Sequence, residues 1–476
     1  MNSASIYWHD YETWGANPKK DLPCQFAGIR TDLDLNIIGD PLMIFSQIPN
    51  DCLPQPQACL ITGITPQKSI QKGTSEKEFI DKIYAEFSKP NTCVAGYNNI
   101  RFDDEITRYT LYRNFYDPYA REWQNGNSRW DIIDLVRACY ALRPEGIEWP
   151  INDKGLPSFK LEDLTKANGI EHQDAHDAMS DVYATIAMAK LIKQHHPKLF
   201  NYVFDLRNKH KVMELINLNQ LTPLVHISSK IPSENGCCTW IVPIGIHPQN
   251  KNAIIVLNLA LDPSPLFELT AREIKEKLYT PSILLAEGEQ RLPVKLVHIN
   301  KCPILAPAKT LTAENAERLN IDRQGCLDNL QIIKNNESLL AKLTEVYSDE
   351  HSAENVDPEH ALYSGGFFSQ NDKNLMEQIV KAKASELTDV AFPFEDERLH
   401  TLLFRYKARN FPETLTDEEV QKWQRFREFK LFDNDSAASI KMPEYMVQLE
   451  ELYAKYVNQP DKLAILKSLH DYAIKL

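Results

Sequence analysis

The order of apolar runs along the chain constrains its fold more than any other feature. Through the first 195 residues, short β-prone runs alternate with segments of helical periodicity. Residues 6–8 and 92–97 predict strands, whereas residues 76–87 and 177–192 predict helices. Strands interleaved with helices are typical of an α/β layer domain with a mixed sheet. We therefore predict such a domain, with flanking helices, over residues 1–196.

The pattern changes after Pro197. Helical insertions at 270–278 and 313–320 accompany four β-prone runs, and helical periodicity returns from about residue 353. The four β-prone runs are residues 224–227, 239–244, 253–259 and 292–298. A chain of 476 residues is too long for one ordinary core. We predict a β-rich domain over 197–350, a linker at 349–358 and an all-helical domain over 353–476.

Acidic side chains occur at the strand ends of the first predicted domain. Asp10 and Glu12 are two residues apart on a strand, so their side chains leave the same face. Asp103 follows the strand at 92–97, in the kind of position where α/β sheets build sites. Asp103 or its neighbour Asp104 could instead be an acid favoured at a helix start. Because burying uncompensated charge is costly, the pair at 10 and 12 favours a bound cation.

His176 and Asp181 complete the set. Five residues on a helix correspond to roughly 140° of rotation, so the two side chains converge only if His176 lies in the loop before the helix, with Asp177 near the N-cap. Four carboxylates and one imidazole are suited to holding two hard divalent cations and activating a water against a phosphodiester. An acidic sheet face, a helix cap and a surface histidine explain each motif alone, but their joint occurrence less well.

These motifs read D-x-E, N-x-x-x-[FY]-D and H-x-x-x-x-D, and over about residues 5–195 they resemble the DEDDh family of 3′→5′ exonucleases. Further segments resemble the bacterial exonuclease I (exodeoxyribonuclease I) branch, so that nearly the whole chain is covered. Those segments are residues 60–65, 96–104, 114–119, 127–131, 166–171, 295–303 and 403–412. The resemblance implies a ribonuclease H-like nuclease domain, an SH3-like β domain and a helical domain that close around single-stranded DNA.

The resemblance also implies a reaction: hydrolysis of single-stranded DNA from its 3′ end to 5′-mononucleotides, in DNA repair and recombination. Two Mg²⁺ ions per site, with Mn²⁺ as a substitute, would be held by Asp10, Glu12, Asp103 and Asp181, and His176 would be the general base. Two alternatives stay open. One is an RNA-trimming DEDDh exonuclease, and the other is a catalytically silent scaffold that binds single-stranded DNA.

Basic and aromatic residues outline a path for the DNA, because arginine pairs with phosphate and aromatic rings stack on unpaired bases. The predicted DNA contacts are Glu12, Arg108, Tyr119, Trp123, Arg137, Lys160, Lys209, Lys301, Tyr363 and Phe367. The resemblance further implies a partner, the C-terminal tail of single-stranded-DNA-binding protein, at Arg143, Tyr202 and Lys334. Pro307 departs from a polar residue expected nearby. Core aromatics and ordinary surface residues are the alternative for both sets.

Charge and cysteine usage bound the remaining expectations. The net charge of −13 disfavours a general polyanion binder, so a nuclease of this composition would confine its cations to a channel. Nine scattered cysteines without zinc spacing favour reduced thiols in a cytoplasmic protein. The N-terminus does not read as a signal peptide, and no apolar run reaches about 18 residues, so no membrane span is expected. A monomer is expected.

Overall fold

A computed structural model describes residues 4–172, 177–281, 284, 291–336, 338–348, 356–388 and 391–476. The chain forms two compact units. The first comprises Met1–Ser128, Gln173–Tyr183 and Ala353–Leu476, and the second comprises Arg129–His172 and Ala184–Ser352. The two chain ends therefore belong to one unit. The sequence predicts three consecutive domains, whereas each of these two units combines segments that are separate in the chain. The division into three domains stays a prediction.

The strands and helices of the described residues follow in chain order. The strands are β1 Ser5–Thr13, β2 Pro23–Thr31, β3 Leu42–Phe45, β4 Thr92–Gly96, β5 Ser128–Asp131, β6 Leu224–Ile227, β7 Cys238–Ile246, β8 Ala253–Asn258, β9 Val294–His298 and β10 Ile304–Pro307. The helices up to residue 215 are α1 Pro56–Thr62, α2 Pro66–Lys72, α3 Glu76–Phe87, α4 Asp103–Arg113, α5 Ile132–Leu142, α6 Leu161–Ala167, α7 Ala178–His195, α8 Pro197–Asp205 and α9 Lys209–Leu215. The later helices are α10 Pro265–Glu268, α11 Ala271–Tyr279, α12 Ala313–Arg318, α13 Arg323–Lys334, α14 Leu339–Val346, α15 Gln370–Lys381, α16 Glu397–Asn410, α17 Asp417–Phe432, α18 Met442–Lys455 and α19 Pro460–Ala473.

The first sheet has the strand order β3-β2-β1-β4-β5, so β1 is its central strand. β1 runs antiparallel to β2 and parallel to β4. Strands flanked on both sides need apolar side chains on both faces, and Ile6, Tyr7 and Trp8 are almost wholly buried. The sheet is thus mixed, as predicted. The side chains that become partly exposed on β1 are those of Asp10 and Glu12, toward its end.

The C-terminal helices pack onto the N-terminal part of the first unit. One apolar cluster joins Trp14, Leu22 and Cys24 to Tyr445 and Leu449 of α18. A second cluster joins aromatic side chains of α4 to α15 and α16. Its buried members include Tyr109, Tyr112, Met376, Ile379, Leu402 and Tyr406. A third cluster packs the face of α3 against the sheet, through Phe26, Phe79, Ile83 and Phe87 among others.

The second unit is built on a five-stranded antiparallel sheet with the order β10-β6-β7-β8-β9. Its core contains Ile241, Ile254 and Val256 on the strands, together with Leu206 and Val212 near and on α9. Helices α5 and α9 contact strands of this sheet.

Most of the predicted elements are present, but three strands differ. Residues 26–38 predict a second and a third strand with a turn at 32–34, but the third strand is Leu42–Phe45, and residues 31 and 37 form only an isolated bridge. A turn-rich segment with three aspartates and a proline after residue 31 interrupts the pairing. β5 and β10 were missed because each is only four residues long, and β10 follows Pro303 and ends at Pro307. Most of the predicted linker, residues 349–355, lies outside the described residues.

Candidate active site

The central strand β1 holds the first two carboxylates of the site. Asp10 and Glu12 lie on the same face of β1, opposite Ala27 and Gln25 of β2. Both side chains are partly exposed, whereas His9 and Tyr11, which point to the other face, are buried. Alternation along a strand therefore separates two acids that face the site from two rings that anchor the strand in the core.

Asp181 reaches the same place from α7. Its side chain and those of Asp10 and Glu12 each offer an oxygen atom, and these oxygens lie within 4.8 Å of one another. Asp177 precedes the helix and caps it, since its Oδ1 accepts hydrogen bonds from the backbone N–H groups of Met179 and Ser180, both at 3.2 Å. As predicted, Asp177 lies at the N-cap. Asp181, which the sequence predicts in the second turn, belongs to the first turn of α7.

Asp103 is the first residue of α4 and is almost fully buried. Its Oδ1 accepts a hydrogen bond of 3.1 Å from the backbone N–H of Tyr11, the residue between Asp10 and Glu12. Asp104 points elsewhere, because its Oδ1 accepts a hydrogen bond of 2.6 Å from Arg121 Nη2. The neighbouring acids at this helix start therefore differ: Asp103 belongs to the carboxylate group and Asp104 to a buried ion pair.

The crowding of these acids is visible in their proton affinities. Burial raises the pKa of Asp10 well above its usual range, and the charges of Asp103, Glu12, Asp181 and Asp177 raise it further. Burial, followed by the charges of Asp181, Asp103 and Asp177, raises the pKa of Glu12 to about 8. Acceptor-only oxygens in this arrangement fit hard divalent cations, which offset the repulsion that otherwise favours protonation.

His176, the predicted general base, lies outside the described residues. The helix that carries Asp181 begins at Ala178, two positions after His176 in the chain. The assignment of His176 rests on the sequence motif and stays a prediction.

The predicted DNA contacts of the first unit fall into two groups. Trp123, Tyr363 and Phe367 are exposed, with Phe367 at 91% of its maximal exposure. Arg108 is instead buried: its Nε and Nη2 donate to Glu122 at 2.7 and 2.8 Å, and Nη1 donates to Glu105 at 2.6 Å.

Tyr119 and Tyr363 surround this buried arginine. The Arg108 guanidinium lies 5.3 Å from the centre of the half-buried Tyr119 ring, and Arg108 Nη1 donates to the Tyr363 hydroxyl at 3.0 Å. Direct pairing of Arg108 with phosphate stays a prediction. In this structure the guanidinium is engaged with carboxylates, and it holds Tyr363 beside α4.

The second unit contains the remaining predicted contacts. Lys160, Lys209 and Lys301 are exposed, whereas Arg137 is buried and donates from Nη1 to Asp134 at 2.7 Å. Among the residues predicted for a protein partner, Lys334 is exposed and Tyr202 donates from its hydroxyl to Leu305 O at 2.8 Å.

Arg143 belongs to the same predicted set and is half-buried. Its Nη1 donates to the carbonyl oxygen of Leu142 and, at 3.4 Å, to that of Thr310. Pro307, the departure noted in the sequence, is exposed at the end of β10. These assignments to DNA and to a protein partner stay predictions.

Glu105 and Glu122, which shape the site, were not singled out from the sequence, and Arg121 was considered only among the basic residues of a DNA path. Glu105 pairs with Arg108 at the i,i+3 spacing of one helix, a local signal that the sequence contains. Arg121 pairs with Asp104 across 17 positions and Glu122 with Arg108 across 14, with no regular spacing. Such contacts are set by the path of the chain between α4 and β5, which no periodicity reveals. In the part of the chain that the structure describes, no helix combines the length and apolar character needed to cross a membrane.

Known proteins match this chain over its whole length. Family models match in three consecutive segments: exonuclease at residues 7–189, exonuclease I SH3-like domain at 207–349 and exonuclease I C-terminal domain at 356–476. The exodeoxyribonuclease I of Haemophilus influenzae is 52% identical over 474 residues, covering 99% of this chain and 98% of that protein. The Escherichia coli exodeoxyribonuclease I is 49% identical, with the same coverage of both chains.

Solved structures of exonuclease I are similar to this chain over the same length. Escherichia coli exonuclease I in complex with a dA16 oligonucleotide has a TM-score of 0.95 and 48% identity, over 99% of this chain and 100% of that one. A zinc-bound form of the Escherichia coli exonuclease I complex with single-stranded DNA has a TM-score of 0.94 and 48% identity, over 100% and 99%. An SSB/exonuclease I structure with an inhibitor has a TM-score of 0.92 and 47% identity, over 100% of both chains.

The predicted fold class, with a nuclease domain, an SH3-like domain and a helical C-terminal domain, is confirmed. With half of its residues identical to two relatives over nearly its full length, the chain belongs to the exodeoxyribonuclease I family.

Proposed function

We propose that this chain is a metal-dependent 3′→5′ exonuclease that degrades single-stranded DNA to 5′-mononucleotides, with Mg²⁺ as its metal. The observation that carries the proposal is the convergence of Asp10, Glu12 and Asp181 oxygens within 4.8 Å, with Asp103 bound to the strand between them. Relatives named exodeoxyribonuclease I, and a related structure containing a DNA oligonucleotide, support the substrate.

The residues of the site have separate roles in metal binding and proton transfer. Asp10, Glu12 and Asp181 would hold one divalent cation, and Asp10 together with Asp103, directly or through water, would hold the second. When bound, the divalent cations stabilise charge on the phosphoryl and leaving oxygens of an in-line displacement. His176 accepts a proton from the attacking water at an imidazole nitrogen. Because Asp103 is fixed to the Tyr11 backbone, the carboxylates on α4 and β1 keep their spacing.

Exposed aromatic side chains support single-stranded DNA as the substrate. Trp123, Tyr363 and Phe367 are exposed to solvent, and stacking on unpaired bases is tolerant of sequence. We propose that Tyr119 and these three rings, with Lys160, Lys209, Lys301, Arg108 and Arg137, guide the strand to the carboxylates. The acidic C-terminal tail of single-stranded-DNA-binding protein is proposed to bind at Arg143, Tyr202 and Lys334, and the protein to act in the cytoplasm.

One assay tests the proposal against both alternatives. DNA and RNA oligonucleotides of one sequence, labelled at either end, are incubated with the protein and Mg²⁺, Mn²⁺ or EDTA. The expected result is metal-dependent shortening of single-stranded DNA from its 3′ end, with mononucleotide products. Preferential shortening of RNA would favour the RNA-trimming alternative, and binding without shortening would favour the scaffold.

A further inference from the structure

A buried ion pair lies directly behind the carboxylate group. The side chains of Asp104 and Arg121 are both 0% exposed, and Arg121 Nη2 lies 2.6 Å from Asp104 Oδ1. Arg121 sits in a short 3₁₀ helix, Ala120–Glu122. Within the described residues, its Nε and Nη1 have no hydrogen-bond partner, so the pairing with Asp104 is its principal polar contact. A buried guanidinium with one acidic partner holds that partner strongly in place.

Contacts connect the Asp104–Arg121 pair to α4, which carries Asp103, and to β1, which carries Asp10. On one side, Asp104 is adjacent to Asp103 in the first turn of α4, and their side chains diverge by about 100° around the helix. Fixing Asp104 therefore fixes the rotation of the turn that presents Asp103. The Thr107 hydroxyl strengthens the same turn, because it lies 2.8 Å from Asp103 O and 3.1 Å from the Tyr11 hydroxyl.

On the other side, Arg121 reaches β1 through one aromatic ring. Its guanidinium carbon lies 4.9 Å from the centre of the Phe87 ring, and the His9 ring contacts Phe87 edge-on at 5.0 Å. His9 Nδ1 lies 3.1 Å from Ala95 O, which ties it to β4. His9 precedes Asp10, so the stack Arg121–Phe87–His9 supports the strand position of that carboxylate.

We infer that the Asp104–Arg121 pair is a positioning element for the reaction: it holds Asp103 and Asp10 at the separation that the metal ions require. The inference rests on the proposed metal-dependent function and assigns no contact with substrate to either residue. Residues that support metal ligands from behind commonly change metal affinity or activity by about 10–100-fold when replaced.

Two variants that change the charge in opposite directions distinguish a positioning role of the pair from a purely electrostatic effect on the cations. Asp104→Asn removes a negative charge near the cations, and Arg121→Met removes a positive one, so a purely electrostatic role predicts weaker metal binding in the first and tighter binding in the second. A positioning role predicts that both variants bind metal more weakly. The measurement is Mn²⁺ affinity of the full-length chain by titration calorimetry, without DNA. We expect at least about a tenfold loss in each variant.

The matched control is Glu76→Gln. Glu76 pairs with Arg113 at the far end of α4, at 2.8 Å and with 9% and 5% side-chain exposure. This variant breaks a buried ion pair on the same helix, so it reports the effect of lost stability alone. We expect its Mn²⁺ affinity to match that of the wild type. Turnover adds a second readout: the two test variants lower kcat at saturating Mn²⁺ while the KM for single-stranded DNA stays near the wild-type value.

A variant that leaves one buried charge unpaired can fail to fold, and the double variant Asp104→Asn/Arg121→Met then decides, because it leaves no uncompensated charge. The inference is overturned if the folded variants bind Mn²⁺ as the wild type does, if the two single variants shift affinity in opposite directions, or if Glu76→Gln weakens binding equally. A wild-type chain that binds no Mn²⁺ would overturn the proposed function itself, and with it this inference.

Discussion

At the scale of single residues, Glu12 links the site to protein stability. Its pKa is raised from 4.5 to about 8, by burial first and by neighbouring carboxylates second. A raised pKa means that the folded state binds the proton more tightly than the unfolded state. The contribution of Glu12 to stability is therefore full below the unfolded pKa and is lost as the pH rises through the folded pKa.

This gives a prediction for the metal-free protein. In EDTA, the melting temperature should fall between about pH 5 and about pH 8, and Glu12→Gln should reduce that fall. Excess Mg²⁺ should raise the melting temperature most at the upper end of this range, because a cation then replaces the proton. Thermal melts of wild type and variant with and without Mg²⁺ measure all three effects. Equal pH dependence in wild type and Glu12→Gln would contradict the prediction.

A second residue-scale prediction concerns His176. Removing a general base costs typically about 10²–10⁴-fold in rate, whereas the metal ligands and DNA contacts are untouched. His176→Ala should therefore lose single-turnover cleavage by that factor and keep its affinity for Mn²⁺ and for single-stranded DNA. His210→Ala, at an exposed histidine outside the motifs, is the control. Near-normal cleavage by His176→Ala would remove the general-base assignment.

At the scale of elements, the close approach of β1 and β4 sets where the acidic face of β1 lies. Gly96 ends β4, and a Cβ atom there would lie 2.7 Å from His9 O and 3.0 Å from Asn99 Cβ. Backbone cannot yield to such a contact without moving a strand. His9 immediately precedes Asp10, so any such shift reaches the carboxylate group.

Gly96→Ala should consequently lower the free energy of unfolding by about 1–3 kcal/mol and reduce Mn²⁺ affinity. The control is Gly39→Ala, because a Cβ at Gly39 meets only Arg30 Cβ, at an ordinary 3.7 Å. Denaturant unfolding and Mn²⁺ titration of both variants check the prediction. A Gly96→Ala protein as stable as Gly39→Ala would show that the two strands have room to separate.

At the scale of the whole molecule, the C-terminal helices complete the core of the first unit. Trp14 and Leu22 share an apolar cluster with Leu431, Tyr445 and Leu449, more than 400 positions away in the chain. Charged groups reinforce the joint: Arg409 donates to Asp51 at 2.7 Å, and Lys430 also contacts Asp51 at 2.7 Å. Asp51 is 0% exposed, and the charges of Arg409 and Lys430 hold its pKa well below the usual range despite its burial.

A fragment of residues 1–196 should therefore not fold alone, although it contains every predicted metal ligand. Without residues 353–476, it exposes the apolar partners of α18 and α19 and leaves Asp51 without its two cations. Circular dichroism melts and gel filtration of this fragment, compared with the full chain, provide the test. A monomeric fragment with a cooperative melt would contradict the prediction.

The amino-acid sequence by itself determined the element types and proposed a set of metal ligands. Periodicity predicted α3 over the same residues that the structure shows, and it placed α16 to within a residue. Motif spacing selected Asp10, Glu12, Asp103 and Asp181 and placed Asp177 near the N-cap of α7. These features are local: side-chain direction on a strand or helix follows from the backbone repeat, so a few residues of sequence contain the information.

Only the tertiary structure decided which charges face the site and which hold it together. Asp103 and Asp104 are adjacent acids at one helix start, yet Asp103 accepts the Tyr11 N–H and Asp104 pairs with Arg121. In the sequence, Arg108 resembles a phosphate-binding arginine, but in the fold it pairs with Glu105 and Glu122. The burial of these side chains and their long-range pairing are non-local features. They depend on which segments meet in the fold, and the spacing within one segment does not determine that.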